Sequence, residues 1–458
     1  MNGLDHKFSR LRRKLSPHWA LILYYGLAIL FGTLLLATPL ASHGPRLRLL
    51  DALFTATSAQ CVTGLVVVDT GSRLTLFGQL VVLALIQIGG LGITTFSVYL
   101  FYYLKQGVSL RGRQLIQETL VHTPFASFKE LIRNIFIFTL VIEAAGTLLL
   151  AFRFVPQLGF WTGLYSAFFH AVSAFCNAGF SLFPDSLVGY RNDPLVNLTI
   201  MLLIISGGIG FLVLHELASR IRCKQRRRLS LHSRLVLTTS LVLIVGGALL
   251  IGLLEAGAGL RGMSFGEGLW TALFQSITAR TAGFNTIDLN AFEVPTLVLT
   301  MILMFIGASP GSCGGGIKTT SVALFVAILA SRLRGDPHTN IMHRTIPEEL
   351  VTRTLTLVML AGIFCCAAIF LLLSVQIHGL PFSQSRGAFL EYTFEAVSAF
   401  ATVGLSLGVT AQLVPLAKLV IVILMFVGRV GLLTVAFAFL RRSGKSVVRF
   451  GEENIMIG

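Results

Sequence analysis

Runs without a single Lys, Arg, Asp or Glu set the rhythm of this chain. One extends from Leu15 to Pro45 and another from Leu74 to Leu104. Further apolar stretches lie at Asn134–Phe152, Leu195–Leu214, Leu235–Leu254, Val294–Ala330 (interrupted), Thr354–Leu373 and Gln412–Leu440. About 20 apolar helical residues cross the hydrocarbon core of a bilayer, so the pattern predicts eight spanning helices. The first run is too long for a secretory signal and is followed by no small-residue cleavage site, so it is expected to remain as a span. Four other apolar stretches are too short: Ala52–Gln60, Trp161–Phe175, Gly268–Ala279 and Gly387–Phe400. A helix of about 12 residues reaches roughly 18 Å, half a bilayer, which predicts four re-entrant helices. Surface amphipathic helices are the alternative for any one of them alone.

Composition agrees with a membrane protein. Hydrophobic residues make up 54% of the 458 and charged residues 12%, with a mean hydropathy of +0.81. A soluble domain has about twice that share of charge. The balance is basic, 36 Lys and Arg against 20 Asp and Glu, for a net charge of +16. In a soluble protein this would suggest nucleic acid. Here 25 of the 36 fall in five clusters, Lys7–Lys14, Lys105–Arg133, Arg220–Arg234, Arg332–Arg353 and Arg441–Arg449. Pairing each spanning helix with a re-entrant helix and a second span places all five on one face. The positive-inside rule makes that face cytoplasmic, together with both termini. The partner is then the lipid bilayer and not nucleic acid. The opposite face is mildly acidic, with Asp51, Asp69, Asp185, Asp193, Glu255, Glu267, Asp288 and Glu293, and would concentrate cations. None of the six cysteines forms a CxxC pair, so neither a disulfide framework nor a zinc site is expected.

Self-comparison reveals four copies of one unit. LFTATSAQCVTGL, FFHAVSAFCNAGF, LFQSITARTAGF and TFEAVSAFATVGL align without gaps around Gly64, Gly179, Gly283 and Gly404. Ser58, Ser173 and Ser398 lie six residues before their glycines; the third copy is looser, with Ile277 there and Thr278 one place later. The unit reads helix, pore helix, extended loop, helix. The fold class is therefore an all-α membrane protein of four helix–pore-helix–filter–helix repeats, pseudo-fourfold about one central ion pore. Repeat bounds are 1–104, 105–220, 221–334 and 335–445, with a tail at 446–458. Irregular backbone at membrane depth is tolerated only inside protein or along a watery cavity. Glycine reaches positive φ without penalty, rings of carbonyls replace the water shell of a cation, and helix C-termini carry negative partial charge. Candidate filter residues are Val62, Thr63 and Gly64; Asn177, Ala178 and Gly179; Thr281, Ala282 and Gly283; and Thr402, Val403 and Gly404. Close helix packing is the competing explanation for a single glycine, but not for four in one context.

The third repeat's second helix is broken by GASPGSCGGGIKTTS, Gly307–Ser321. It holds Pro310 and the glycines Gly307, Gly311, Gly314, Gly315 and Gly316, a density of breakers no helix survives. A loop inside the membrane, below the filter, is expected there, able to lie in the ion path and swing aside. Gly311–Thr319 looks like a phosphate-binding loop, but Ile317 separates the last glycine from Lys318 and an apolar helix precedes it. Lys318 is a candidate loop tether. Arg429, between Gly428 and Gly431 in an apolar helix, is expected to face the pore below the filter as an electrostatic barrier bonded to loop carbonyls. An ion pair with Glu143 or Glu395 is the alternative. Arg280 reads as an anchor for the third pore helix.

At VTGL, NAGF, TAGFN and TVGLS the chain resembles the four filter sequences of the Trk/Ktr/HKT superfamily of potassium transporters. It is most similar to the KtrB branch, through its eight spans and the tail FGEENIMIG. The resemblance covers essentially the whole chain. It implies potassium uptake through a gated pore, with K+ at Gly64, Gly179, Gly283 and Gly404. It further implies sodium dependence, a homodimer with the tail at its interface, and an octameric cytosolic KtrA-type RCK ring that binds ATP or ADP in place of this chain. The intramembrane gate is then the Gly307–Ser321 loop, and the location the inner (plasma) membrane. A TrkH-like transporter or an alternating-access carrier is the alternative; the shared orientation of the four repeats favours a pore over the inverted repeats of carriers. No clustered nucleophile, metal or acid–base set suggests an enzyme.

Overall fold

The structure is a computed structural model that describes residues 17–107, 128–223, 229–381, 383 and 385–439. The tail at 446–458 and the basic residues Lys7–Lys14 and Arg226–Arg228 lie outside the described residues.

Fifteen helices of two turns or more run through the described residues. The first repeat holds α1 (Pro17–Leu36), α2 (Leu49–Gln60) and α3 (Leu76–Gly107). The second holds α4 (Phe128–Leu158), α5 (Phe160–Phe175), α6 (Pro194–Gly208) and α7 (Phe211–Cys223). In the third are α8 (Leu231–Glu255), α9 (Phe265–Thr278), α10 (Val294–Phe305) and α11 (Thr319–Leu333). The fourth contains α12 (Glu348–Gln376), α13 (Ala388–Ala401), α14 (Pro415–Val430) and α15 (Leu432–Phe439). A two-residue hairpin, β1 (Asn340–Ile341) and β2 (Arg344–Thr345), links the last two repeats, with Asn340 opposite Thr345.

Among the described residues four helices are long and apolar enough to cross a membrane, or six when each sharply bent pair is one span. Shorter apolar helices lie where the sequence predicts the other two spans: Leu76–Gly92 within the 32-residue α3, and the pair α10 and α11. The short apolar stretches are α2, α5, α9 and α13, and their last turns are buried at the centre. Large apolar side chains such as Leu27, Leu253, Met359 and Phe370 cover the outside of α1, α8 and α12, as lipid demands.

Two stretches read as uninterrupted spans are in fact bent. The Leu195–Leu214 stretch breaks between α6 and α7 by 105°, and Gln412–Leu440 between α14 and α15 by 94°. Both turn at a left-handed glycine, Gly210 at φ +90° and Gly431 at φ +93°. Glycines within an apolar run also serve close helix packing, so Gly210 and Gly431 announce no break in the sequence. The physical reason at Gly210 is local: α6 ends with the Gly207 and Gly208 carbonyls free, and the loop after α10 supplies their donors, Cys313 N at 3.0 Å and Ser309 N at 3.0 Å.

The acidic residues of the face opposite the basic clusters are largely committed to local bonds. Asp69, Asp193 and Asp288 cap short helices or α6, Glu267 completes a capping box on α9, and Glu255 accepts from Gly259 N and Glu293 N. Asp51 pairs with Lys418 at 2.6 Å, clamping α2 of the first repeat to α14 of the fourth.

Candidate ion pathway

Each pore helix is set by one fully buried phenylalanine: Phe54, Phe169, Phe274 and Phe394. Four residues later stands a hydroxyl, Ser58, Ser173, Thr278 or Ser398. Each hydroxyl ties the helix to its own loop. Ser58 and Ser398 accept from the Gly64 and Gly404 amides, both at 3.1 Å. Ser173 donates to the Phe180 carbonyl at 2.8 Å and Thr278 to the Phe284 carbonyl at 2.7 Å. This corrects the gap-free alignment. Phenylalanine and glycine are ten residues apart in three repeats and nine in the third, so the third copy lacks one residue after Thr278. Thr278 is the true counterpart of the serines, and the looser match at Ile277 was a shift in register.

The loops share one backbone conformation. Val62, Asn177, Thr281 and Thr402, two residues before the glycines, have φ of 57°, 59°, 68° and 52°. The glycines Gly64, Gly179, Gly283 and Gly404 have φ of 92°, 69°, 79° and 94°. Left-handed backbone costs a non-glycine residue on the order of 1–3 kcal/mol, and three of these four are β-branched. Left-handed residues alternating with the ordinary Thr63, Ala178, Ala282 and Val403 undo the alternation of a strand, which lets successive carbonyls face one side.

The four glycines close into a ring. A Cβ on Gly64 would stand 2.5 Å from the Ala178 carbonyl oxygen, and one on Gly179 2.8 Å from that of Ala282. On Gly283 and Gly404 it would stand closer still, to Val403 and Thr63 respectively. Each repeat thus abuts the next, and the fourth returns to the first. No side chain fits. The Thr63 and Thr402 hydroxyls are buried beside this ring without a protein partner. Oxygens of this kind, crowded round one axis, suit a cation stripped of its water.

In three repeats the second helix presses a glycine onto the end of its pore helix. A Cβ on Gly89, Gly207 or Gly428 would collide with the carbonyl of Gln60, Phe175 or Phe400. In the third repeat the helix stops at Phe305 and a loop folds back, with Gly307 against the Gly315 carbonyl. The expected Gly307–Ser321 loop ends at Lys318, because Thr319–Ser321 already form the first turn of α11. Gly314 packs against the Thr281 side chain and Gly315 against that of Thr402, so the loop seats directly on two of the candidate filter residues. Gly311 and Gly316 supply its left-handed turns, at φ +69° and +65°. Lys318 donates to the Gly314 carbonyl at 2.6 Å. The Phe211 amide bonds Gly311 at 3.0 Å, binding the loop to the break in the second repeat. A small cavity lined by Leu91, Thr139, Ser206, Phe211, Ser312 and Cys313 lies beside it.

Arg429 is 2% exposed in the last turn of α14. Its guanidinium donates to the Cys313 carbonyl of the loop, to the Gly89 carbonyl at 2.7 Å and, more weakly, to Tyr25 Oη at 3.4 Å. It pairs with neither suggested carboxylate. Glu143 accepts from Gln87 at 3.2 Å, and Glu395 accepts from Ser406 and Thr410. Arg280 reaches Ser240 of α8 at 3.0 Å, away from the ring. Tyr25 and Gly89, which seat Arg429 from the first repeat, carry no distinguishing sequence signal, since a tyrosine and a glycine in apolar helices are ordinary.

A family model described as TrkH, cation transport protein, matches residues 28–448. The Ktr system potassium uptake protein B of Bacillus subtilis is 39% identical over 97% of this chain and 97% of its own length. The potassium/sodium uptake protein NtpJ of Enterococcus hirae is 37% identical over 98% and 99%. The crystal structure of the potassium transporter TrkH from Vibrio parahaemolyticus superposes with a TM-score of 0.73, covering 93% of this chain and 86% of that one, at 20% identity.

Proposed function

The chain belongs to the TrkH family of cation transport proteins, and from that premise we propose that it takes up potassium through the ring of four glycine loops. The observation that carries this is the closed cycle in which each filter glycine abuts the next repeat's carbonyl. A ring so crowded excludes side chains and leaves backbone oxygen as the surface an ion meets.

The loop Gly307–Lys318 is the gate. It rests on Thr281 and Thr402 on one side of the ring, and it must leave that seat for an ion to pass. Arg429 acts on it twice, as a latch on the Cys313 carbonyl and as a positive barrier in the path. Sodium acts with potassium, in keeping with the name of the Enterococcus relative. The chain forms a homodimer with residues 446–458 at its interface and docks a cytosolic ring of nucleotide-binding KtrA-type subunits. It sits in the cell's inner (plasma) membrane with its basic face and both termini in the cytoplasm, as the distribution of Lys and Arg favours.

The test is rubidium uptake into proteoliposomes, with and without sodium and the cytosolic subunits. Saturable rubidium entry blocked by excess potassium is expected. Equal entry of rubidium and of larger organic cations would overturn the filter, and entry insensitive to the cytosolic subunits would overturn their place at the gate.

A further inference from the structure

One residue after the buried phenylalanine, the four pore helices carry Thr55, His170, Gln275 and Glu395, all at most 2% exposed. Two of them reach beyond the helix. His170 Nδ1 lies 2.7 Å from the Ser166 carbonyl, which makes Nδ1 the N–H donor and leaves Nε2 to accept from Ser181 Oγ at 3.0 Å. Glu395 accepts from Ser406 Oγ at 2.8 Å and from Thr410 Oγ1. Ser181 and Ser406 hold the same place, two residues after the filter glycine. Each also caps the turn that leaves the filter, accepting from Phe183 N at 2.9 Å and from Gly408 N at 3.0 Å.

The other two repeats lack this brace. Val66 stands where a serine would, and Thr55 bonds back to the Asp51 carbonyl within its own helix at 2.8 Å. In the third repeat neither amide atom of Gln275 has a partner, nor does Asn285 Oδ1 at the serine's place. The cycle of glycine contacts runs first, second, third, fourth, so the braced repeats face each other across the axis.

We propose that His170 and Glu395 are positioning residues that fix the outer end of the filter at two opposite points and thereby set its preference for potassium over sodium. This rests on the transport reading above. A carbonyl ring favours the larger ion only while something keeps it from closing round the smaller one. Two rigid posts on one diagonal do that. The fully buried imidazole gains stiffness from its stacking on Phe183, with ring centres 4.6 Å apart. The unbraced diagonal can yield as ions pass.

The experiment is rubidium uptake with competing sodium, using full-length protein in liposomes. Ser406→Ala should lower the rubidium-to-sodium ratio about tenfold, the size of one lost side-chain hydrogen bond, Glu395→Ala at least as far because it also loses the Thr410 bond, and the double variant no further than Glu395→Ala alone. Glu395→Gln should keep most of the ratio, because an amide oxygen still accepts from Ser406. Ser181→Ala should behave like Ser406→Ala. The serine variants change least and guard against misfolding. A wild type that carries no rubidium overturns the transport reading and the braces with it. A selective wild type beside serine variants with unchanged ratios, or fully additive losses at Glu395 and Ser406, overturns the braces alone.

Discussion

Serine in place of one filter glycine perturbs the ring by an amount the geometry sets. At Gly404 the backbone sits at φ +94°, where an L side chain costs on the order of 1–2 kcal/mol. The added Cβ also meets the Thr63 carbonyl well inside contact distance, and ordinary carbon–oxygen contact begins about 1 Å farther out. The neighbouring strand has to retreat by a similar distance. The carbonyl that moves is one of four in a ring whose selectivity depends on their spacing. A loss of about 1.4 kcal/mol in preference is a tenfold fall in the potassium-to-sodium ratio, and that is the least expected here. The four positions should also rank. Gly179→Ser, at 2.8 Å, should be mildest, Gly64→Ser, at 2.5 Å, intermediate, and Gly283→Ser and Gly404→Ser most severe. The assay is rubidium uptake against rising sodium in cells that lack their own potassium uptake, with membrane abundance measured for each variant. Unchanged ratios in all four variants at wild-type abundance would refute the ring as the filter.

Three further outcomes follow from the gate and the repeat interfaces. Arg429→Ala removes the bonds to Cys313 and Gly89 and should raise uptake in the absence of any cytosolic partner about tenfold or more; unchanged flux and gating would sink the latch and the barrier together. Gly315→Ala places a methyl against Thr402 Oγ1 and should likewise unseat the loop, and Thr402→Ala added to it should restore low basal flux; a double variant no tighter than Gly315→Ala would refute that seating. Lys418→Met leaves Asp51 half-buried without its partner and should cost about 1–3 kcal/mol of stability, read as a lower melting temperature in detergent, with Asp51→Asn in the same chain recovering part of it; equal melting of all forms would show the clamp to be idle.

The four glycine loops could be read from the sequence because the ring they form admits nothing but glycine, and it does so four times. The period, the half-length apolar runs and Gly64, Gly179, Gly283 and Gly404 all follow from that one steric fact. The loop after Phe305 was visible for a different reason, since five glycines and Pro310 leave no other conformation. What stayed hidden depended on single residues. Gly210 and Gly431 bend their helices by 105° and 94°, yet Gly246 and Gly247, paired in the same way, lie within the unbroken α8. Their difference is tertiary: the break at Gly210 bonds to the loop after α10. The one-residue shortening after Thr278 was masked by anchoring the comparison on glycine, and the buried Phe274 would have exposed it. His170 escaped notice because its partner, Ser181, lies past the filter and has no equivalent in the first repeat.

The seating of the loop also bounds the work a regulator must do. To clear the ring, the loop gives up the Arg429 bond to Cys313 and the backbone bonds that join Ser309, Gly311 and Cys313 to the second repeat. A bond from a charged donor is worth about 1.5–3 kcal/mol net and an ordinary one about 0.5–1.5 kcal/mol. Losing all four would hold the loop down by roughly 3–8 kcal/mol, a closed-to-open ratio between about a hundred and several hundred thousand. The upper end applies if the segment moves as one body, and the lower end if water replaces each bond as it opens. Glycine content makes the loop itself cheap to reshape, so the cost lies in these few anchors. An activating partner therefore has to bind the open form tighter than the closed one by at least a hundredfold. Because Arg429 joins the loop to Gly89 of the first repeat and the Phe211 amide joins it to the second, a push on either repeat reaches the loop.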